Sequence, residues 1–314
     1  MASQHQYRPF TEENFLRRGL ELRFKNENWK RMKVTRQTQE FIEEFGAHPK
    51  ALAMIWRDLQ TARLLELRIE DWVQPDHLLV VYRWMKGYEP TATIRRTMGF
   101  GEDGIRKWCK DVTLKIAGLR KIKIDPNWED DDGVILGGTV DGVHYKIDEP
   151  RPFSTKFKSH KMGQAGLDYE IVIYTFKDKI AHLNGPFPAA TNDKEVFAKG
   201  LLAAIEKKQD ERMNNFRLIA DDGYVNSRWM HVLSFRNELD PAEIAYYKDC
   251  ALSRQERFNG LTKNYKILNS NFRHDRGWNP QQDFPRHKAV FEAICVTLQY
   301  EFDLGIKTLF DPYP

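Results

Sequence analysis

Three acidic residues, each set in a distinctive local phrase, are the part of this chain whose types and spacing could do chemistry. Asp141 lies in Thr139-Val140-Asp141-Gly142-Val143-His144-Tyr145-Lys146-Ile147, and Asp221 in Ala220-Asp221-Asp222-Gly223-Tyr224. Glu256 lies in Arg254-Gln255-Glu256-Arg257-Phe258-Asn259-Gly260. Hard cations such as Mg²⁺ or Mn²⁺ take oxygen ligands, and two of them roughly 3.5–4 Å apart can clamp the attacking and leaving oxygens of a phosphodiester. Three carboxylates gathered on a strand-rich core would suit such a pair, and the chemistry this points to is cleavage of a nucleic-acid strand. A lone acid at a strand end is more often a cap or turn residue, so the weight falls on the joint pattern. Asp221 and Glu256 are separated by 34 residues, and the segment around Glu256 also carries Arg254, Arg257, Lys263 and Lys266. A carboxylate ringed by cations is odd for core packing but suits a metal ligand beside a phosphate backbone.

The elements that must position these acids read as strands and helices in alternation. Val134–Ile147 reads as a strand containing Asp141, Tyr169–Phe176 as a second, and Ile180–Gly185 as a third. The short Lys177-Asp178-Lys179 link makes the last two an antiparallel hairpin. A Pro/Ala/Thr loop then leads into a helix before Lys207, and Phe216–Ala220 forms a fourth strand ending at Asp221. The segments 241–267 and 286–300 are helical in pattern. The fold class is therefore α/β, a mixed sheet with helices packed on it.

The first part of the chain has a different grammar. Residues 1–35 are polar and charged with scattered aromatics, and read as a loose arm or a peripheral helix. From Thr38 to Lys123 the apolar residues recur at three- and four-residue steps, as in Phe41, Phe45, Leu52, Ile55, Trp56 and Leu59. Within this stretch, Pro90-Thr91 marks a helix start, Gly99 to Gly101 a stop, and Ile105, Trp108 and Val112 a second helix. A helix-turn-helix would put that second helix, with Arg106, Lys107 and Lys110, into a DNA groove. An ordinary pair of packed helices has the same pattern. The acidic loop Pro126–Gly133 lacks the spacing of an EF-hand and reads as a solvated linker. The organisation expected is a polar arm at 1–35, a helical region at 36–125 and a catalytic domain at 134–310.

Composition narrows the classes further. With 41% hydrophobic and 30% charged residues over 314 positions, the chain can bury a proper core. No apolar run is long enough for a membrane span, and the first residues lack the apolar core of a secretory signal. Cys109, Cys250 and Cys295 form no CxxC pair, so neither a disulfide framework nor a zinc site is expected. The net charge of +4 is modest, but it is unevenly spread. Arg95–Lys123 holds nine Lys or Arg against three acids, and Arg254–Lys288 eight against three. Two basic islands in a nearly balanced protein suit contact with a polyanion, although solvated helix faces have the same composition.

Several phrases together resemble the Harbinger-type DDE transposase superfamily, especially the Harbinger-derived nucleases of diatoms and oomycetes. They are Thr139–Ile147, Ser159-His160-Lys161, Tyr169-Glu170, Asn184-Gly185-Pro186-Phe187-Pro188 followed by Asp193, Ala220–Tyr224, Glu256–Lys263 and Lys288–Cys295. The resemblance spans roughly residues 38–310, with its motifs in order. It implies an RNase H-like DDE catalytic domain preceded by a helical region, and metal-dependent hydrolysis at a transposon end followed by attack of the freed 3′-hydroxyl on target DNA. Carried over residue by residue, Asp141, Asp221 and Glu256 would be both catalytic and metal-binding, with Mg²⁺ or Mn²⁺ as cofactor. The Gly-Tyr phrase selects Asp221 over Asp222. Lys161, Arg254, Arg257 and Lys263 would contact phosphates. The resemblance also implies a nuclear location, DNA as partner, a Myb-like DNA-binding partner protein and a homo-oligomer.

The loop Pro188–Asp193 departs from the family, lacking its Gly-Ser and His-Asp. Asp193 reads there as a supporting acid or as a helix N-cap. His144 and His160 could orient substrate or ligands, and the structural reading is the simpler one for each. A domesticated DNA-binding protein that no longer cuts is the alternative function, and a two-metal phosphohydrolase of small phosphoesters a third.

Overall fold

The computed structural model describes residues 9–62, 65–70, 72–124, 137–207, 216–224, 228–232, 242–273 and 280–309. The acidic loop expected at 126–133 and the start of the first strand at 134–136 lie outside the described residues. The chain divides into two compact units: residues 1–123, 263–269 and 289–307 in the first, and 124–262, 270–288 and 308–314 in the second.

In the first unit, α1 (Glu12–Arg23), α2 (Val34–Phe45), α3 (Pro49–Thr61), α4 (Pro75–Gly87), α5 (Thr91–Met98), α6 (Glu102–Gly118) and α7 (Arg120–Lys123) follow one another. The N-terminal stretch is no loose arm from residue 12 on, because α1 buries Phe15 and Leu20. Proline opens α3 and α4, where its missing N–H costs nothing, and left-handed Gly46 and Gly99 close α2 and α5. Helix α4 buries Leu78, Leu79, Val80, Val81, Tyr82, Trp84 and Met85, more of its surface than one stripe, so it forms the centre of this unit. Burying each such aliphatic side chain contributes about 1.5–3 kcal/mol. Tyr82 meets Thr297 Oγ1 at 2.6 Å in the same core. Among the described residues no helix is long and apolar enough to cross a membrane.

The second unit is built on a five-stranded sheet of order β3-β2-β1-β4-β5. Strands β1 (Gly138–Lys146), β2 (Gly166–Tyr174) and β3 (Ile180–Pro188) are antiparallel neighbours, while β1, β4 (Leu218–Ala220) and β5 (Met230–Val232) run parallel. Prolines 186 and 188 are tolerated because β3 is an edge strand. The expected hairpin formed, with β3 longer than read and β5 unforeseen.

One face of this sheet is covered by α8 (Asp193–Lys199) and α9 (Leu201–Lys207), whose Phe197, Leu201 and Ile205 join Val140, Val172, Leu218 and Tyr224 in one apolar cluster. The other face carries α10 (Ala242–Lys263), through Gln255 and Thr262. It also carries the first turns of the later helix Pro280–Asp303, whose His287 stacks on Tyr169. The mixed α/β architecture is thus a sheet flanked by helices.

Candidate active site

Side chains alternate along a strand, so β1 shows two different faces. Thr139, Asp141, Val143 and Tyr145 face α10. There Thr139 Oγ1 donates to Gln255 Oε1 at 3.0 Å, Asn259 Nδ2 donates to Asp141 Oδ2 at 3.0 Å, and Tyr145 meets Thr262 at 2.8 Å. Gln255, Asn259 and Thr262 recur at helical spacing, which makes this a polar seam between helix and sheet. Gly142 and His144 face the other way, directly opposite Glu170 and Asp168 of β2.

The parallel pairing of β1 with β4 sets Thr139 beside Ile219. Two residues further along the chain from this pair stand Asp141, within β1, and Asp221, just past the end of β4. Burial pushes the Asp141 carboxyl above its ordinary range, the Lys161 ammonium opposes this, and the Asp221 charge adds to it. Asp221 Oδ1 accepts from Gly223 N at 3.0 Å, a turn that swings Tyr224 into the core. The Tyr224 hydroxyl then donates to Glu170 Oε1 at 3.1 Å.

Asp193 stands on the opposite side of Asp221 from that seam. Asn192, not Asp193, caps α8, its side chain accepting from Glu195 N at 2.8 Å. The expected cap role therefore belongs to the neighbour, and the Asp193 carboxylate turns toward the sheet. It fills space left by two glycines. A Cβ at Gly223 would meet Asp193 Oδ2 at 2.1 Å, and one at Gly142 would meet Asp193 Oδ1 at 3.4 Å. Each glycine follows a candidate acid, Gly142 after Asp141 and Gly223 two places after Asp221. Burial, then the Asp221 charge, raise the Asp193 carboxyl, while Lys161 lowers it.

Behind Asp193 lie two acids that sequence reasoning did not assign to the site. Asp168 is 1% exposed, with the Tyr169 backbone N–H acting on its carboxylate. His144 Nε2 stands 3.5 Å from its Oδ1, and His144 Nδ1 meets Ser159 Oγ at 2.7 Å. Burial first, and Asp193 next, push Asp168 up to about 7. Burial likewise pushes Glu170 up to about 8 despite its bonds from Asn184 and Tyr224. Their signal was an acid inside an otherwise apolar strand, which a core does not tolerate without a reason.

The remaining expected residues fall into distinct places. Lys161 is exposed, and its charge reaches Asp141, Asp168 and Asp193. It lines a cleft of about 550 Å³ with His144, His160, Asn192, Asp193 and Gly223. Glu256 is exposed on α10, one residue past the inward Gln255, while the side chain of Asp222 lies outside the description. The structure brings Asp141 and Asp221 together, with Asp193 beside them, and leaves Glu256 on the flank. Among the described residues no three His, Cys, Asp or Glu converge closely enough to hold a metal by themselves.

Arg254 is turned inward, 5% exposed, donating to the Lys177 carbonyl at 2.7 Å with Asp178 at 3.6 Å. A guanidinium committed to the fold in this way is not presented to an external phosphate. Arg257 and Lys263 are exposed. In the first unit Arg106 pairs with Glu102 and Asp103 at 3.1 Å, Lys107 lies over the Trp72 ring at 4.1 Å, and Lys110 is exposed.

A family model described as DDE superfamily endonuclease matches residues 140–298. That span takes in Asp141, Asp168, Asp193, Asp221 and Glu256. No curated protein and no solved structure matches the chain.

Proposed function

The chain belongs to the DDE superfamily endonucleases, and from that premise we propose that it is a metal-dependent, transposase-like DNA nuclease of the Harbinger type with an RNase H-like core. The observation that carries this reading is the Thr139–Ile219 register of the parallel β1–β4 pair, which brings Asp141 within β1 beside Asp221 just past the end of β4, both inside the matched span. Sheet order β3-β2-β1-β4-β5, with helices on both faces, supports the RNase H-like assignment.

The donor set fits Mg²⁺ or Mn²⁺. Buried carboxylates that raise one another's proton affinity need positive charge beside them, and hard cations take carboxylate oxygens. Asp141, Asp221 and Glu256 would hold the metal, Glu256 reaching from the exposed flank of α10. When bound, the ions would activate water and stabilise the departing 3′-oxygen. Asn259 holds one oxygen of Asp141 and thereby orients the other. Lys161, beside the cleft, would draw in the scissile phosphate, with Arg257 and Lys263 along the DNA backbone. In the same reading α5 and α6 form a helix-turn-helix presenting Arg106, Lys107 and Lys110, and the segments 36–125 and 134–310 act as separate domains. Nuclear location, a Myb-like partner and self-association belong to this proposal as well.

One observation favours a second reading. Glu256 is exposed rather than gathered with the other two acids, as expected of a domesticated DNA-binding protein that no longer cuts. Incubation with supercoiled DNA and Mn²⁺ or Mg²⁺, beside Asp141→Asn, separates the two. The nuclease nicks the plasmid and the variant loses this by about a thousandfold, the several kcal/mol that a metal ligand supports. Retarded but uncut DNA with the unsubstituted protein supports the domesticated reading.

A further inference from the structure

We propose that His144 and Ser159 are positioning residues for a phosphate of the DNA strand: together they lock the loop that carries His160 and Lys161 over the cleft. The inference rests on the nuclease reading above and assigns a role to two residues outside the acidic set.

The loop is a short excursion between β1 and β2. Lys158 and Ala165 pair as an antiparallel bridge, Ser159 N donates to the Gln164 carbonyl at 2.9 Å, and Gly163 N donates to the Ser159 carbonyl at 2.9 Å. Gly163 takes φ +68°, the left-handed conformation that lets so tight a loop close. At its tip His160 and Lys161 are exposed, and both line the cleft with Asn192, Asp193 and Gly223. At its root Ser159 is fully buried.

A buried hydroxyl has one hydrogen to give and lone pairs to accept with. Ser159 Oγ accepts from Met162 N at 3.2 Å, closing the loop from inside, and meets His144 Nδ1 at 2.7 Å. The His144 ring is fixed from its other end, where Nε2 stands 3.5 Å from Asp168 Oδ1. A carboxylate there favours the ring hydrogen on Nε2, which leaves Nδ1 to accept from Ser159. The loop is thereby tied to β1, the middle strand of the sheet, and not only to its own ends. Met162, one residue past Lys161, packs at Gly166, where a Cβ would meet its methyl group at 2.5 Å.

This anchoring matters because a lysine ammonium is a point charge on a flexible stem, and its side chain alone fixes no geometry. The Lys161 charge acts on Asp141 and Asp193, so it addresses the end of the cleft where the candidate metal ligands lie. Pinning the backbone at Ser159 confines the ammonium to that end, where a phosphate oxygen can take its hydrogen bonds.

Plasmid nicking with Mn²⁺, with kcat and KM measured against DNA concentration, tests the proposal. Lys161→Ala should raise KM about tenfold and leave kcat within about threefold. Ser159→Ala should raise KM by a similar factor, and in the Lys161→Ala background it should add less than about twofold, because it acts through that lysine. His144→Phe, which keeps a ring without Nδ1, should follow Ser159→Ala. His144→Asn, which returns an acceptor near that point, should recover most of the loss. Should Ser159→Ala not fold, His144→Phe against His144→Asn carries the same test. A merely structural pair would lower the melting temperature without touching KM. An unchanged KM in Ser159→Ala or Lys161→Ala, or effects of the two that multiply, overturns the inference and leaves the nuclease reading standing. Absence of nicking by the unsubstituted protein overturns both.

Discussion

The two faces of β1 make opposite use of polar residues. Toward α10, Thr139, Asp141 and Tyr145 each find a partner on the helix, at 3.0, 3.0 and 2.8 Å. Toward α8, Gly142 and His144 look onto Asp168, Glu170 and Asp193, where acids outnumber donors and burial drives carboxyl groups upward. On the first face each of these strand residues has a partner on α10, although burial and the Asp221 charge still raise Asp141. The second stores unfavourable charge that folding alone does not relieve, and such imbalance is characteristic of a site rather than a core.

Neutralising the crowded face should have the largest effect on stability. Asp168 is held up to about 7, against about 4 in an unfolded chain. Between those values the native state binds the extra proton, so stability falls as pH rises from about 4 to about 7 and stays low above. Asp168→Asn should remove that loss and stabilise the metal-free protein at pH 8 by about 4 kcal/mol. Thermal melting across pH measures this, and equal curves for both proteins at pH 8 would show that Asp168 is already compensated.

Damage to the first face should act with the reverse sign. Arg254→Ala should cost about 2 kcal/mol by removing a buried guanidinium from the Lys177 carbonyl, without weakening DNA binding per folded molecule. Urea titration combined with a DNA-binding assay tests both halves. Asn259→Ala should cost roughly tenfold in nicking, since a hydrogen bond to a carboxylate contributes about 1.5 kcal/mol. It should also move the acid limb of the pH profile upward, because Asn259 helps keep Asp141 ionised. The smallest effect is expected on the exposed rim. Arg257→Ala should leave melting unchanged and flatten the salt dependence of DNA binding by about one unit of slope.

Much of this contrast could be read from the chain. The Asp141 and Asp221 phrases follow from strands ending in acids with glycine nearby, and the β2–β3 hairpin from its short polar link. Helix α10 was legible as a helix but its inward face was not. Gln255, Asn259 and Thr262 are polar, so no apolar stripe marks the side that meets the sheet, and Arg254 was read as facing outward. Asp168 and Glu170 were given no place in the site, although Tyr169-Glu170 was one of the resembling phrases, because cross-strand register decides what they face. Strand β5 covers only three residues, too few for alternation to show. Asp193 could be linked to Asp221 only once Gly142 and Gly223 were seen to make room for it.

In the proposed nuclease it is Asp221, brought beside Asp141 by the β1–β4 pairing, that carries the chemistry, not its neighbour Asp222. Mn²⁺-dependent nicking of supercoiled DNA by Asp221→Asn and Asp222→Asn, compared side by side, tests it most directly. Asp221→Asn should abolish nicking, while Asp222→Asn should retain it within a few-fold. Retained cutting by Asp221→Asn, with loss in Asp222→Asn, would contradict it.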